Sequence, residues 1–189
     1  MKIMVETSAR HVHLTQEDLD TLFGKGYELT PKKALSQPGQ FACEEKVEVV
    51  GPRGSLKMSI LGPIRPETQV EVAKTDARAL GIDAPLRMSA DLEGTPGCKI
   101  IGPKAEITID KGVIVAKRHA HFPPDDAAAF GVTDGEAIQI KLGYNGRSLI
   151  LGDVIARVSK TAGLAVHIDT DEANAAGLTG TVDGDVIVG

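Results

Sequence analysis

Apolar and polar residues alternate along most of this chain in runs of roughly four to eight, the period of a strand with one buried face. "KVEVVGPRG", "SLKMSILGP", "TQVEVAKT", "LRMSADLEG", "KIIGPKAEITI", "GVIVAKRHAHF", "AIQIKLG", "LILGDVIARVSK" and "AVHIDT" mix this alternation with β-branched runs, and many stop at Gly or Gly-Pro. Evenly spaced short strands with turn signals between them predict a barrel or sandwich rather than a helical bundle.

Four shorter stretches change period. "TQEDLDTLFG" offers Thr15 as an N-cap, Leu19, Leu22 and Phe23 as a buried stripe, and Gly24 as a stop. "PPDDAAAFG", "TDARALG" and "TDEANAAG" follow the same plan, each too short to persist without packing on a sheet. Helix-Gly-strand units recur: "DARALGIDAPLRM" from Asp76 aligns with "DAAAFGVTDGEAI" from Asp126, an offset of 126 − 76 = 50. Two Arg-His-x-His motifs recur at 119 − 11 = 108. The expectation is a mainly β fold with short capping helices, built as a loose duplication of two small β-barrels. No Ser- or Pro-rich linker separates the halves.

Bulk numbers then narrow the classes. With 189 residues the chain can bury a real core. A formal charge of −5 gives no basic field to recruit a phosphate backbone, and 3% aromatics give no stacking platform, so no nucleic-acid partner is expected. Cys43 and Cys98 form no CxxC pattern and read as two reduced, buried thiols. No apolar run approaches the roughly 20 residues of a membrane span, and the N-terminus reads as no secretory signal, so the cytoplasm is the default compartment.

The histidines carry the chemistry. Of five, four sit in "SARHVHL" and "AKRHAHF", and His167 stands in "AVHIDTDEANAAG". Residues i and i+2 of a strand share a face, so His11 with His13, and His119 with His121, present paired imidazoles. One such pair reads as well as ordinary surface or core histidines. Two pairs plus a fifth histidine beside an acidic cap favour a divalent metal centre, zinc being the usual occupant of imidazole-rich sites. Glu71, Glu44, Glu45, Asp169 and Asp171 all qualify as a carboxylate ligand on spacing; Asp169 reads as support for His167, or else Thr170 and Asp171 simply cap the following helix. Arg10 and Arg118 alternate to the other face and read as ion-pair partners. Arg65, in the turn of "ILGPIRPETQVEV", reads as an anion-gripping fork or as an ordinary loop arginine. No GxGxxG, P-loop or Ser-His-Asp pattern is present.

"SARHVHLTQEDLDTLFG", "LSQPGQFACEE", "LGPIRPETQVEVAKTDARALGI", "KRHAHFPPDDAAAFGV" and "HIDTDEANAAG", in this order, make the chain resemble the PduL-type phosphotransacylases, or phosphate propanoyltransferases. The resemblance implies two interlocked β-barrels, one from residues 1–9 plus 118–189 and the other from 10–117, with the active site between them. It implies interconversion of a short-chain acyl-CoA, propanoyl or acetyl, plus phosphate with acyl-phosphate plus CoA. It further implies two zinc ions, one on His11, His13 and Glu71 and one on His119, His121 and His167. Arg65 matches the phosphate-binding arginine. Thr7, Ser8, Ala9, Arg53 and Asn174 match CoA contacts. The chain departs from the family where a "VRILGP" pattern is replaced by Met58-Ser59 before "ILGP", and the segment from Gly51 is one residue short. The first strand is expected to start within a few residues of Met1, without the amphipathic helix that targets some relatives to bacterial microcompartments of propanediol degradation; the expectation is a cytoplasmic enzyme, with the microcompartment lumen as the alternative reached by another route. A homo-oligomer, with a dimer favoured, is the expected assembly.

Two rival classes fit parts of this pattern. A zinc-dependent hydrolase also uses HxH, usually in a (β/α)₈ barrel for which this chain is too short and too strand-rich. A cupin-like metal-binding module would use Glu17 after His13, but Glu17 falls in the first helix and the upstream glycine is missing.

Overall fold

The structure, a computed structural model, describes residues 1–143 and 146–188. In chain order the elements are β1 (Lys2–Thr7), β2 (His11–His13), α1 (Gln16–Phe23), β3 (Pro31–Ala34), β4 (Phe41–Val50), β5 (Ser55–Gly62), β6 (Gln69–Glu71) and α2 (Lys74–Leu80). They continue with β7 (Leu86–Arg87), β8 (Cys98–Ile101), β9 (Glu106–Ile109), β10 (Val113–Ala116), β11 (His119–Phe122) and α3 (Pro124–Phe130). The last are β12 (Ala137–Leu142), β13 (Leu149–Val158), β14 (Ala165–Ile168), α4 (Thr170–Ala175) and β15 (Val182–Ile187). The protein is mainly β with short helices, as the alternation predicts.

The chain divides into two units. Unit 1 comprises Met1–Ser8, Ser36–Pro38 and Lys117–Gly189; unit 2 comprises Ala9–Leu35 and Gly39–Ala116. The chain thus leaves and re-enters each unit. Ser36–Pro38, which the sequence reading leaves inside the 10–117 segment, groups with unit 1.

Unit 1 is a closed barrel of order β1-β14-β11-β13-β12-β15. Closure follows from β15, which pairs antiparallel with both β12 and β1 and so removes the free edge. Inward positions fill the barrel: Ile3, Val5, Ala120, Phe122, Ile138, Ile140, Val154, Ala156 and Val166 are all buried. Unit 2 is an open, half-barrel sheet of order β7-β10-β6-β2-β5-β4-β8-β9, with β3 pairing β4. Its own core gathers Val12, Leu14, Met58, Ile60, Val70 and Ile100.

The helices close the sheets as their caps require. The Thr15 side chain accepts from the Asp18 N–H at 3.1 Å, and α1 turns Leu19, Leu22 and Phe23 into the unit 2 core. Gly131 ends α3 in the left-handed conformation at φ 69°, where a side chain would be strained. α4 starts at Asp169, whose carboxylate accepts from the Glu172 N–H while Glu172 accepts from the Asp169 N–H, a reciprocal capping box. Asp169, rather than Thr170 or Asp171, is therefore the cap, and its carboxylate is spoken for by the helix it starts.

The duplication is real in topology but differs from the one the offset of 50 suggests. Each unit runs from an HxH strand into a helix, then through a long antiparallel hairpin, β4–β5 or β12–β13. Each then has a strand antiparallel to the HxH strand, followed by a second helix. On this plan α1 corresponds to α3 and α2 to α4. The alignment of Asp76 with Asp126 matches α2 to α3 because both helices carry an Asp-Ala run that closes at a glycine, Gly81 or Gly131.

Candidate metal centres

In unit 2, β2 lies between β5, which it pairs in parallel, and β6, which it pairs antiparallel. Val12 points into the core, so His11 and His13 share the opposite face. Their ring centroids lie 4.8 Å apart at 87°. Nδ1 of His11 lies 2.9 Å from the Ala9 carbonyl, and Nδ1 of His13 lies 3.1 Å from the Leu61 carbonyl. A carbonyl only accepts, so both Nδ1 atoms carry a proton, and each Nε2 presents a lone pair when its ring is neutral. Those Nε2 atoms stand 3.1 Å apart. Two lone pairs facing one another at that separation are what a shared cation satisfies, and zinc bonds of about 2.0–2.1 Å fit the gap.

Glu71 completes the group because it stands directly across from His11 in the β2–β6 register, placing Oε2 3.5 Å from His11 Nε2. Burial would lower the His11 pKa, but the Glu71 carboxylate outweighs it and raises it. Burial, with the charges of His11 and Arg65, pushes His13 down to about 3. Burial works to raise Glu71, yet the imidazoles of His11 and His13 and the Arg65 guanidinium hold its carboxyl well below the usual range.

Arg65 reaches the same group. Its backbone N–H donates to Leu14 O at 2.9 Å, and Nη1 donates to Ser89 Oγ at 3.0 Å. Ser89 Oγ also accepts from Gln69 Nε2 at 2.9 Å and donates to Glu71 Oε1 at 3.2 Å, which uses its one proton and two lone pairs. Gln69, buried opposite His13, donates to Glu71 Oε1 at 2.5 Å and accepts from the Ala90 N–H at 2.8 Å. Ala90 takes a left-handed φ of 76° to deliver that N–H.

Unit 1 repeats the arrangement with a histidine in place of the carboxylate. β11 lies between β13 and β14, and His119 stands directly across from His167. Nδ1 of His119 donates to Lys117 O at 2.8 Å, matching the His11 bond to the carbonyl two residues back. Centroid separations are 4.8 Å for His119–His121, 5.3 Å for His119–His167 and 5.0 Å for His121–His167. Ligand atoms within each three-residue group all lie within 4.8 Å of one another. Burial, with the charges of His119, His167 and Arg157, pushes His121 down to about 3, leaving it neutral and ready to donate a lone pair near pH 7. Both groups thus fit a divalent ion in donor chemistry.

Glu44 and Glu45 are engaged elsewhere. Glu44 pairs with Lys32 at 2.9 Å, and Glu45 accepts from Tyr27 Oη at 2.9 Å and from the Thr30 N–H at 3.1 Å. Arg10 pairs with Asp76 at 2.9 Å and Arg118 with Glu172 at 2.8 Å. Thr7 is exposed at the end of β1, the Ser8 N–H donates to Ile168 O at 2.8 Å, and Ala9 supplies the carbonyl that holds His11. Arg53 lies in the β4–β5 turn, on a cavity of about 320 Å³ shared with Lys74 and Arg78. That turn precedes Ser59, the β5 partner of His11, by 59 − 53 = 6 residues. Asn174 is exposed on α4.

A family model described as phosphate propanoyltransferase matches residues 4–179. A phosphate propanoyltransferase of Thermotoga maritima is 54% identical over 175 residues, covering 92% of this chain and 83% of that protein. This chain belongs to the phosphate propanoyltransferase family. It is an acyltransferase of the phosphotransacylase kind. The family member of Clostridioides difficile is 52% identical over 182 residues, 95% of this chain and 87% of its own length. That of Leptotrichia buccalis is 50% identical over 185 residues, 97% and 87% of the two chains. Among the described residues, no helix is long and apolar enough to cross a membrane.

Four residues beside the histidine groups escape the sequence reading. Gln69 had a weak signal, sharing a strand face with Glu71 two positions on. Ser36 had one too, since the tight turn "LSQPGQF" reads either as shaping a site or as a plain connection; Ser89 and Glu6 had none. Ser36 Oγ lies 3.2 Å and Glu6 Oε2 3.5 Å from His167 Nε2, contacts made across 131 and 161 residues of chain (167 − 36 and 167 − 6).

Proposed function

We propose that this phosphotransacylase moves a short acyl group, propanoyl or acetyl, between CoA and inorganic phosphate. One zinc ion would be held by His11, His13 and Glu71 and a second by His119, His121 and His167. The observation that carries the metal reading is the 3.1 Å approach of two lone-pair-bearing Nε2 atoms, His11 and His13, beside an ionised Glu71. When bound, zinc supplies Lewis acidity toward an acyl carbonyl or a phosphate oxygen.

The chain's own residues do the rest. Phosphate is a weak nucleophile toward a thioester until its charge is offset and its direction set. Arg65, steadied through Ser89, offers a guanidinium for that purpose beside the His11–His13–Glu71 group. Thr7, Ser8, Ala9, Arg53 and Asn174 would hold CoA. In the forward direction a phosphate oxygen bonds to the acyl carbon, the carbon–sulfur bond breaks, and the proton of hydrogen phosphate ends on the departing thiol. Transfer is direct. Burial and the Glu45 carboxylate push the Cys43 thiol up to about 11, and burial pushes Cys98 up to about 12, so neither supplies a thiolate near neutral pH.

The test is thiol release from propanoyl-CoA with and without phosphate. Release that requires phosphate supports the transferase. Release without phosphate would make the protein a hydrolase, and no release would make it a binding module.

A further inference from the structure

The loop between β3 and β4 sends its tip, Ser36–Pro38, into unit 1. There the Gln37 side chain, buried although polar, pairs with both backbone groups of one residue: Nε2 donates to Gly163 O at 2.9 Å, and Oε1 accepts from the Gly163 N–H at 3.2 Å. The side-chain amide thereby does what a neighbouring strand would do for a backbone that has none. Gly163 lies two residues before β14, the strand that carries His167. A Cβ on Gly163 would stand 2.4 Å from Ser36 O, so the two segments meet backbone to backbone. The turn is pinched shut by Leu35 N–H donating to Gln40 O at 3.0 Å. Its outcome is one placement: Ser36 Oγ lies 3.2 Å from His167 Nε2.

We propose that Gln37 is a positioning residue, and that its double hydrogen bond to Gly163 holds the Ser36 hydroxyl against His167 so that the three-histidine group presents a ring of fixed orientation. His119 and His121 share one strand and need no such help. His167 arrives on another strand, and Ser36 and Glu6 are among the side chains that meet its Nε2 from outside the histidine group. The consequence for metal rests on the two-zinc reading above; the clamp itself does not.

The experiment therefore has two readouts. Imidazole ¹⁵N–¹H correlation spectra of the metal-free protein report on ring environments whether or not zinc binds. Ser36→Ala and Gln37→Ala are expected to move the His167 Nε2 signal in the same direction while leaving those of His11 and His13 in place. Gln37→Glu, which keeps an acceptor for the Gly163 N–H and loses the donor to Gly163 O, is expected to move it less, and decides the matter if Gln37→Ala fails to fold. In zinc-loaded protein challenged with a chelator, the same variants are expected to release the unit 1 ion several-fold faster. A His167 signal that moves in Ser36→Ala but stays at its wild-type position in the Gln37 variants would overturn the clamp, as would a Ser36→Ala spectrum identical to wild type. Failure of wild-type protein to take up zinc would instead overturn the two-zinc reading and leave the clamp to be decided by the metal-free spectra.

Discussion

His11 stands directly opposite Glu71 in the antiparallel pairing of β2 with β6. In the other unit His119 stands opposite His167 in the pairing of β11 with β14. In both, the first histidine of the HxH strand meets its third partner across the sheet, and that first histidine donates Nδ1–H to the carbonyl two residues back. The two centres are one local design used twice, with a carboxylate in one and an imidazole in the other.

Replacing the carboxylate alone tests that design. Glu71→Gln keeps shape and removes charge, so it is expected to lower bound zinc from two ions per chain to one and to reduce turnover by on the order of 100-fold. Glu44→Gln, at a surface pair with Lys32, is expected to change neither. Zinc content by mass spectrometry and initial rates check both.

Arg65→Lys keeps the charge and loses the fork. The KM for phosphate is expected to rise about tenfold while zinc content stays at the wild-type value, because the substitution leaves His11, His13 and Glu71 in place. An unchanged KM would remove Arg65 from phosphate binding.

How much of this was legible in the chain depends on whether a contact is local. The cap at Thr15, the stripe of Leu19, Leu22 and Phe23, and both HxH faces follow from residues within one turn or one strand of each other. Glu71 does not: Glu44, Glu45, Asp169 and Asp171 are equal to it on spacing, and only the β2–β6 register separates them. The first histidines are offset by 119 − 11 = 108 and the third members of the two groups by 167 − 71 = 96, so hairpins of unequal length hide the repeat from a fixed-offset search. Ser89, Glu6 and Ser36 are ordinary polar residues made significant by closure of the sheets.

The thiols give a pH prediction. Cys43 at about 11 and Cys98 at about 12 both titrate above the usual value of about 8.5. The folded chain keeps protons that the unfolded chain would lose, so this contribution to stability is intact below about pH 8.5 and is lost as pH rises through those values. A thiol reagent at pH 8 is expected to leave the folded protein unlabelled and to label both cysteines after unfolding. Cys43→Ser is expected to retain activity within about twofold; loss of turnover together with a trapped acyl-protein would contradict direct transfer.

Packing in the closed barrel is expected to be unforgiving. Phe122, fully buried one residue after His121, fills the unit 1 core against Phe130 at a centroid distance of 5.5 Å. Phe122→Ala should cost about 3–5 kcal/mol. Denaturant unfolding measures it, and a cost below 1 kcal/mol would show that the barrel tolerates a cavity there.

The most direct test of the central claim is phosphate-dependent thiol release from propanoyl-CoA, followed through removal and restoration of zinc. The expected result is activity that vanishes on chelation and returns with two equivalents of zinc per chain. Full activity in protein stripped of metal would contradict it.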